Sequence, residues 1–452
     1  MTFDDVLPLL LRAVEESAAS AGIERIAVVR DLTGRVRLAV KPSSAVAFDV
    51  STLEATIDSA LGRWFAPPLL VSGGVWSDSA MREHARLAAS VLDRASPWDD
   101  GEYPPSDGGA LRRATPGRWR KLEARLTKHA WTSEAPATAP WPLEAGRPAV
   151  ATFFSLKGGV GRTTLLAALA WRLARAGKRV VVVDLDLEAP GLASVFGVAP
   201  ERGVLDLLLD FLATDQVDIE DALVSAATVD DVSKPLIDVL GAGALGPGYF
   251  EKLARLDFAT GSPFGPTSSS PVERGLRAIL GKLAGRRPRP DFILLDARAG
   301  LHDLAGLSLH GLAHVDVLVT RHSEQAFLGL DLALESLARR RPFAEQRFLV
   351  VHSLAPRSSD DAGAAELEGD FVRRMFDMFQ RHVYPRVPEM DRPAVDKSEA
   401  PHTPVVVRRD EQLDHLVRLE AHAASLLGPA YEEAEKRFLA LASPEPGERE
   451  LA

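Results

Sequence analysis

The chain has 452 residues, of which 46% are hydrophobic and 26% are charged, and its formal net charge is -10. This composition is ordinary for a globular protein with a filled core, and it excludes an intrinsically disordered chain. The acidic total also means that the protein as a whole is not attracted to nucleic acid or to anionic lipid, although local basic patches can still occur.

Two absences narrow the class of protein further. The chain contains no cysteine, which excludes disulfides, thiolate zinc sites and cysteine-ligated iron–sulfur clusters. Asp4 and Asp5 stand where a signal peptide needs positive charge, and no apolar run approaches the ~20 residues that cross a bilayer. We therefore expect a cytoplasmic protein without a membrane segment.

Residues 1–94 have the pattern of a small α+β domain. The apolar periodicity predicts helices over 3–21, 51–65 and 79–94, and two strands over 25–30 and 35–40 that form a hairpin. No catalytic cluster of residues stands out in this region. We therefore expect a partner or sensor module that binds another protein of unknown identity.

Residues 95–148 are predicted to be a linker rich in Pro and Gly, with one basic helix over 118–131. Trp119 and Trp131 lie among the basic residues Arg118, Arg120, Lys121, Arg125 and Lys128. Basic residues beside aromatic rings can bind single-stranded nucleic acid. A helix that docks its Trp face on a neighbouring domain and exposes its charges explains the same pattern more simply.

A glycine-rich stretch, residues 156–164, follows an apolar run over 149–155 and opens a long helical pattern. Glycines between a buried strand and a helix N-terminus let backbone N–H groups approach an anion, so this stretch is predicted to bind phosphate. Thr163 then offers its hydroxyl to a magnesium ion. The strict phosphate-loop pattern fails at Leu156, where a glycine belongs, and at Arg162, where a lysine belongs. The alternative is a turn that only joins a strand to a helix.

Three aspartates follow two further apolar runs. Asp184 and Asp186 come after the strand predicted over 179–183, and Asp296 ends the strand predicted over 291–296. Ligands of open α/β folds bind at the carboxyl edge of the sheet, where such residues meet. A carboxylate there can hold Mg²⁺ or its water shell. The alternative for Asp184 and Asp186 is a local turn-forming role.

The loop over 156–164 resembles the deviant Walker A loop of the ParA/MinD-like ATPases, with Lys157 in the place of that family's signature lysine. The resemblance covers about residues 149–330. It implies a mostly parallel P-loop NTPase sheet with flanking helices over 149–442, followed by an acidic tail over 443–452.

The resemblance also implies a set of roles. ATP and Mg²⁺ are the expected cofactors, with nucleotide contacts from Gly158, Gly159, Val160, Gly161, Arg162, Thr163, Thr164 and Gly300. The expected metal ligands are Thr163, Asp184 and Asp296. Asp186 is expected to orient the attacking water, Arg162 to contact the β/γ-phosphates, and Lys157 to reach the partner's phosphates across an ATP-dependent homodimer.

Three departures from the family pattern leave questions open. Arg162 puts the rate of hydrolysis in question, because Arg and Lys are not interchangeable between phosphates. His352 and Ser353 stand where the family has the Asn that reads adenine. Arg298 either touches phosphate or pairs with Asp303.

The C-terminal region is predicted to contain a helix over 371–382, an edge strand over 404–407, and helices over 411–427 and 430–442. The last of these helices and the tail carry many glutamates, which anionic lipid repels, so we expect no membrane binding.

The leading interpretation is a slowly hydrolysing ATP-dependent dimerisation switch that controls a partner through residues 1–94, by resemblance in a bacterial signalling or phage-defence system. The first alternative is a nucleotide-binding scaffold without hydrolysis. A second is a DNA-partitioning type of ATPase that binds DNA non-specifically through its clustered arginines, which are Arg286, Arg287, Arg289, Arg339, Arg340 and Arg341. A bacterial tyrosine kinase is disfavoured, because the four tyrosines lie far apart in the sequence.

Overall fold

The computed structural model describes residues 1–43, 49–73, 79–98, 118–123, 128–133, 136–226, 236–257, 270–342, 345–356, 362–413 and 419–444. The chain divides into two compact units. Met1–Leu126 belongs to the first, whereas Thr127–Thr260 and Ser269–Ala452 form the second. Residues 258–271 are rich in Gly, Pro and Ser, which predicts a surface loop. They lie almost wholly outside the described residues, as does the acidic tail.

The first unit is an α+β fold built on one sheet. Its elements are α1 (Val6–Glu16), β1 (Ile23–Arg30), β2 (Val36–Pro42), α2 (Val50–Leu61), β3 (Leu70–Val71), α3 (Ser79–Arg94), β4 (Ser96–Pro97) and β5 (Trp119–Glu123). The strand order is β3-β2-β1-β5-β4, with β1 and β2 antiparallel. The predicted hairpin and the helix over 79–94 are confirmed.

The basic segment after residue 117 is a strand and not the predicted helix. Its strand β5 runs parallel to β1, and Trp119 is buried with its indole N–H donating to Glu15 at 2.8 Å. Arg118 contacts Glu15 and Ser20, so these charges serve the fold of the unit. Because β4 and β5 complete the sheet, the first unit extends beyond the predicted boundary at residue 94.

The second unit is a single eight-stranded sheet between helices. Its strands are β6 (Ala149–Phe154), β7 (Val180–Asp184), β8 (Leu223–Ala226), β9 (Ile237–Leu240), β10 (Phe292–Asp296), β11 (Val315–Thr320), β12 (Phe348–Ala355) and β13 (Val405–Arg408). Its helices are α4 (His129–Thr132), α5 (Arg162–Arg175), α6 (Leu192–Val195), α7 (Val204–Thr214), α8 (Tyr249–Asp257), α9 (Pro271–Gly285), α10 (Asp303–Leu307), α11 (Glu324–Arg340), α12 (Ala362–His382), α13 (Ala423–Leu426) and α14 (Pro429–Ala442).

The sheet order is β13-β12-β11-β6-β10-β7-β9-β8, and every pairing is parallel except that of β8 with β9. Alternate residues of β6 pack against α5 and α14 on one face, and against α7, α9, α11 and α12 on the other. Burial on both faces explains the continuous β-branched run of β7. This is the mostly parallel sheet with flanking helices that the sequence predicts.

The predicted helix over 411–427 does not form as one helix. The described part of this stretch consists of 3₁₀ turns at Glu411–Leu413 and Leu419–His422, followed by α13. Leu419 and Leu426 each pack into the core beside α5 and α14, so tertiary contacts override the helical periodicity of the sequence. Helix α12 also begins at Ala362, nine residues before the predicted start. Among the described residues, no helix combines the length and apolar character needed to cross a membrane.

A candidate phosphate-binding site

The glycine-rich loop joins β6 to α5 at the carboxyl edge of the sheet. Gly159 and Gly161 have φ angles of +69° and +81°, a backbone conformation that residues with a Cβ rarely adopt. No other atom lies within 4 Å of where a Cβ at Gly158, Gly159 or Gly161 would stand. The loop therefore presents open backbone at a helix N-terminus, which is the arrangement that binds phosphate.

Leu156, which stands where a strict phosphate loop has glycine, holds this loop against a neighbouring helix. Its side chain packs on Gly329 of α11 so closely that a Cβ added at Gly329 would lie 2.0 Å from Leu156 Cδ2. Within the loop, the Ser155 hydroxyl donates to the Lys157 carbonyl at 2.9 Å. The substitution at 156 thus has a packing role.

Arg162 points inward to two aspartates. Its Nε donates to Asp296 Oδ1 at 2.6 Å, and its Nη2 donates to Asp186 Oδ2 at 3.1 Å. The guanidinium is buried, with 8% of the residue exposed. In this arrangement Arg162 pairs with both carboxylates, whereas the sequence predicts that it contacts phosphates.

Thr163 and Asp296, two of the three predicted metal ligands, are in direct contact. The Thr163 hydroxyl donates to Asp296 Oδ2 at 2.6 Å. Burial raises the pKa of the Asp296 carboxyl, although Arg162 and Thr163 act in the opposite direction. A hydroxyl and a carboxylate are hard oxygen donors of the kind that Mg²⁺ takes, with water or phosphate completing its octahedron. Within the described residues no cluster of three or more His, Cys, Asp or Glu could hold a metal by itself.

Asp184, the third predicted metal ligand, folds the loop that follows β7. Its carboxylate accepts the backbone N–H groups of Asp186 at 3.1 Å, Gly191 at 3.2 Å and Leu192 at 3.1 Å. Burial and the neighbouring charge of Asp296 raise the pKa of Asp184 to about 7. The sequence left open a metal-binding role and a turn-forming role for Asp184. These contacts are the ones expected of the turn-forming role.

The loop after β10, residues 297–302, differs from its predicted contacts in two ways. Gly300 was expected to offer its N–H to the terminal phosphate, but here that N–H donates to the Ser155 carbonyl at 2.9 Å. Arg298 forms an ion pair with Glu188 of the loop after β7, a partner that the sequence did not predict. Glu188 is not among the predicted site residues, although it lies only two residues after Asp186.

His302 ends this loop and caps α10. Its Nδ1 accepts the Leu304 N–H at 3.3 Å, and its Nε2 lies 3.5 Å from Glu188 Oε1. Burial, and next the charge of Arg298, lower the pKa of His302 to about 4. The imidazole is therefore neutral at pH 7, and Arg298 supplies the charge that holds Glu188.

Lys157 differs from Arg162 in its surroundings. The side chain is half-buried, and across the described part of the chain its ammonium has neither an ion pair nor a hydrogen bond. An uncompensated cation at the rim of a phosphate loop is available to an anion from outside the chain.

A cavity of about 250 Å³ lies beside the loop, between the ends of β12 and β13 and helix α14. Leu354, Asp410 and Tyr431 contribute to its walls together with the loop glycines. Leu354 has a φ angle of +52°, an unusual conformation for a residue with a branched side chain. The cavity could not be predicted from the sequence, because its walls come from segments about 250 residues apart.

His352 and Ser353, which stand where the family has its adenine-reading Asn, offer no free polar group to the cavity. His352 is buried and stacks on Phe371 with a centroid distance of 4.1 Å. Ser353 lines the cavity, but its hydroxyl donates to the Thr320 carbonyl at 3.2 Å.

Comparison with known proteins finds a family match for part of the chain. Residues 151–373 match the CobQ/CobB/MinD/ParA nucleotide binding domain. The chromosome-partitioning ATPase Soj of Thermus thermophilus is 56% identical over 52 residues, which cover 12% of this chain and 20% of Soj. The chain spans only about a fifth to a third of the length of the curated relatives it matches.

Solved structures with a similar chain course include the cell division ATPase MinD of Pyrococcus furiosus, with a TM-score of 0.40, 22% identity, and coverage of 65% of this chain and 96% of that one. Another is cobyrinic acid a,c-diamide synthase of Mycobacterium smegmatis with a bound ATP analogue and magnesium. Its TM-score is 0.38, with 22% identity and coverage of 50% of this chain and 82% of that one.

The glycine loop before α5, the aspartates at the ends of β7 and β10 and the sequence match agree with one another: over residues 151–373 this chain is a P-loop nucleotide-binding domain of the CobQ/CobB/MinD/ParA family.

Proposed function

We propose that this chain binds ATP and Mg²⁺ at the phosphate loop and hydrolyses ATP slowly, as a dimerisation switch that controls a partner protein through its first unit. The observation that carries the proposal is that Asp186 and Asp296 both accept hydrogen bonds from Arg162, while the Thr163 hydroxyl lies 2.6 Å from Asp296. Phosphoryl transfer needs positioning and charge neutralisation more than covalent catalysis, and these residues supply both.

The loop and its helix hold the phosphates in this proposal. Backbone N–H groups of residues 158–163 bind the phosphates in this proposal, because the glycines leave open space for an anion at the helix N-terminus. Thr163 and Asp296 hold Mg²⁺, which when bound neutralises charge on the β- and γ-phosphates. Their present hydrogen bond keeps the two oxygen donors together. The relatives named as ATPases, among them Soj, support hydrolysis as the reaction.

Asp186 orients the water that attacks the γ-phosphorus. The water oxygen bonds to phosphorus, the bond to the β–γ bridging oxygen breaks, and ADP leaves as the water proton passes to phosphate or solvent. One oxygen of Asp186 accepts the Ala189 N–H at 3.3 Å and the other accepts from Arg162. The bond from Arg162 holds Asp186 in place, and Asp186 is freer to turn toward a water once Arg162 gives up this bond.

Arg162 therefore has two alternative sets of anionic partners. It pairs with Asp186 and Asp296 in the arrangement described above, and phosphates arriving at the loop would compete for the same guanidinium. A single buried cation cannot fully satisfy both sets. Slow turnover follows, because each cycle breaks two charge-assisted hydrogen bonds before Asp186 is released.

Lys157 acts on the phosphates of the partner chain in a homodimer. This role rests on the resemblance of the loop to the family's signature-lysine loop and on the absence of any acidic partner for Lys157 among the described residues. Dimerisation then depends on nucleotide, since the lysine has an anion to bind only when the phosphates are present.

A scaffold that binds nucleotide without hydrolysing it is the second candidate. The observation that favours it is the double pairing of Arg162, because a guanidinium that stays on Asp186 leaves no group to orient water. Non-specific binding of DNA is less well supported. Arg286 pairs with Asp238, Arg339 with Glu335, and Arg341 with Asp316, so these basic clusters are used inside the chain.

The first prediction concerns turnover. Asp186→Asn and Lys157→Ala should each lower steady-state ATP hydrolysis by about 10²-fold or more, since each removes a group that acts on the reacting phosphate or water. Turnover per chain should rise with protein concentration in the unaltered protein, because Lys157 acts across the dimer. The matched controls are Asp210→Asn and Lys178→Ala, which change surface residues away from the loop. Unchanged turnover in both Asp186→Asn and Lys157→Ala would remove the proposed catalytic assignment.

The second prediction concerns Arg162. Arg162→Lys should raise turnover by about tenfold, because a lysine cannot bridge both aspartates and one charge-assisted hydrogen bond is worth about 1.5 kcal/mol. Arg172→Lys is the matched control on the same helix, where the arginine pairs with Glu435 outside the site. A turnover that falls below that of the unaltered protein would show that Arg162 assists hydrolysis and does not restrain it.

The third prediction is that the base of ATP binds in the cavity beside the loop. Leu413→Trp should fill part of its 250 Å³ and weaken ATP binding by about tenfold, or 1.4 kcal/mol, while tripolyphosphate binding stays unchanged. Titration calorimetry with both ligands measures this, and Leu332→Trp on the exposed face of α11 is the control. Equal weakening of both ligands would place the base elsewhere.

A further inference from the structure

Trp131 lies at the start of the second unit and contacts the loop after β10. Its indole N–H donates to the His302 carbonyl at 2.8 Å, and only 8% of the residue is exposed. The ring also lies 5.9 Å from that of Phe154 and 5.6 Å edge-on from that of His310. Phe154 is the last residue of β6, directly before the phosphate loop. One side chain thus touches both segments that surround the nucleotide site.

Helix α4 packs closely against Gly306 of α10. A Cβ at Gly306 of α10 would lie 2.7 Å from the Trp131 indole nitrogen and 2.8 Å from Ala130 Cβ. Gly306 is therefore required by the approach of α4 and not by its own backbone angles. Any larger residue there would push Trp131 away from His302.

The backbone of α4 is held from the opposite side by α11. The Ser336 hydroxyl donates to the Trp131 carbonyl at 3.0 Å, and Arg340 donates to the Ala130 carbonyl. His310 in turn lies 3.1 Å from the Ser336 hydroxyl through its Nε2. Helix α4 is consequently fixed at several points between α10 and α11, and it can follow movements of either one.

A continuous set of contacts leads from the phosphate loop to this helix. The Gly300 N–H binds the Ser155 carbonyl next to the loop, and Arg298 binds Glu188, which lies two residues from Asp186. His302, whose carbonyl accepts from Trp131, lies in the same six-residue loop. Movement of this loop on nucleotide binding would reach Trp131 directly.

In the sequence, Trp131 lies eight residues after Glu123, the last residue of β5 in the first unit. It belongs to the first described segment of the second unit. This segment is therefore anchored by a side chain that binds the loop over 297–302.

We propose that Trp131 is a positioning residue that couples the nucleotide state of the loop over 297–302 to helix α4, in the first described segment of the second unit. The proposal rests on the nucleotide binding proposed above and adds the side chain through which that binding reaches helix α4. The hydrogen bond from Trp131 to His302 is the connecting element. A coupling of this kind requires a group in contact with both elements, and Trp131 is part of α4 while its indole binds the loop over 297–302.

Hydrogen exchange on the full chain, with and without a non-hydrolysable ATP analogue and Mg²⁺, tests the coupling. In the unaltered protein the analogue should slow exchange in peptides from 156–165, 297–306 and 118–133. Trp131→Phe keeps an aromatic ring but removes the N–H donor, so the change at 118–133 should be lost while the other two remain. Trp141→Phe is the matched control, because its indole donates to the Pro148 carbonyl, away from the loop.

Gly306→Ala provides a second variant that leaves Trp131 itself in place. Its Cβ should displace the indole and abolish the response at 118–133, whereas Gly281→Ala, in open space on α9, should not. A response at 118–133 that survives in both Trp131→Phe and Gly306→Ala overturns the coupling, as does its absence from the unaltered protein when 156–165 responds. No response at 156–165 in the unaltered protein would overturn the proposed nucleotide binding, and the coupling with it.

Discussion

The pairing of Arg162 with Asp186 and Asp296 is the interaction on which the rest of the site depends. Three charged groups are almost fully buried at the start of α5, and burial of charge is costly unless each charge has a partner. Arg162 satisfies the ends of two strands at once, because Asp296 ends β10 and Asp186 follows β7. Thr163, next in sequence, binds the same Asp296. The helix, the two loops and the sheet edge are thereby fixed relative to one another.

The neighbouring contacts extend this arrangement outward. Asp184 folds the loop after β7 through three backbone N–H groups, and Glu188 of that loop binds Arg298 of the next. Trp131 of α4 then binds that second loop. Each link is a hydrogen bond or an ion pair between segments distant in sequence. A change in the partners of Arg162 can therefore be passed on without any change in the sheet.

The sequence predicted the architecture of the second unit well, because buried parallel strands carry continuous β-branched runs and end in polar residues. It also placed Thr163 and the three aspartates at one sheet edge. It was wrong about β5, since basic residues interleaved with tryptophan fit a helix and a strand alike. The partners of Arg162, Asp184 and Arg298 could not be predicted, because they depend on which loops meet in three dimensions and not on local pattern.

The most direct test of this account is the position of the Arg162 guanidinium in a crystal structure with a non-hydrolysable ATP analogue and Mg²⁺. The account predicts that Arg162 Nε leaves Asp296 Oδ1, now 2.6 Å away, and binds phosphate. The Thr163 hydroxyl should move from Asp296 to the metal. An Arg162 that keeps both aspartates with the analogue bound would contradict the account.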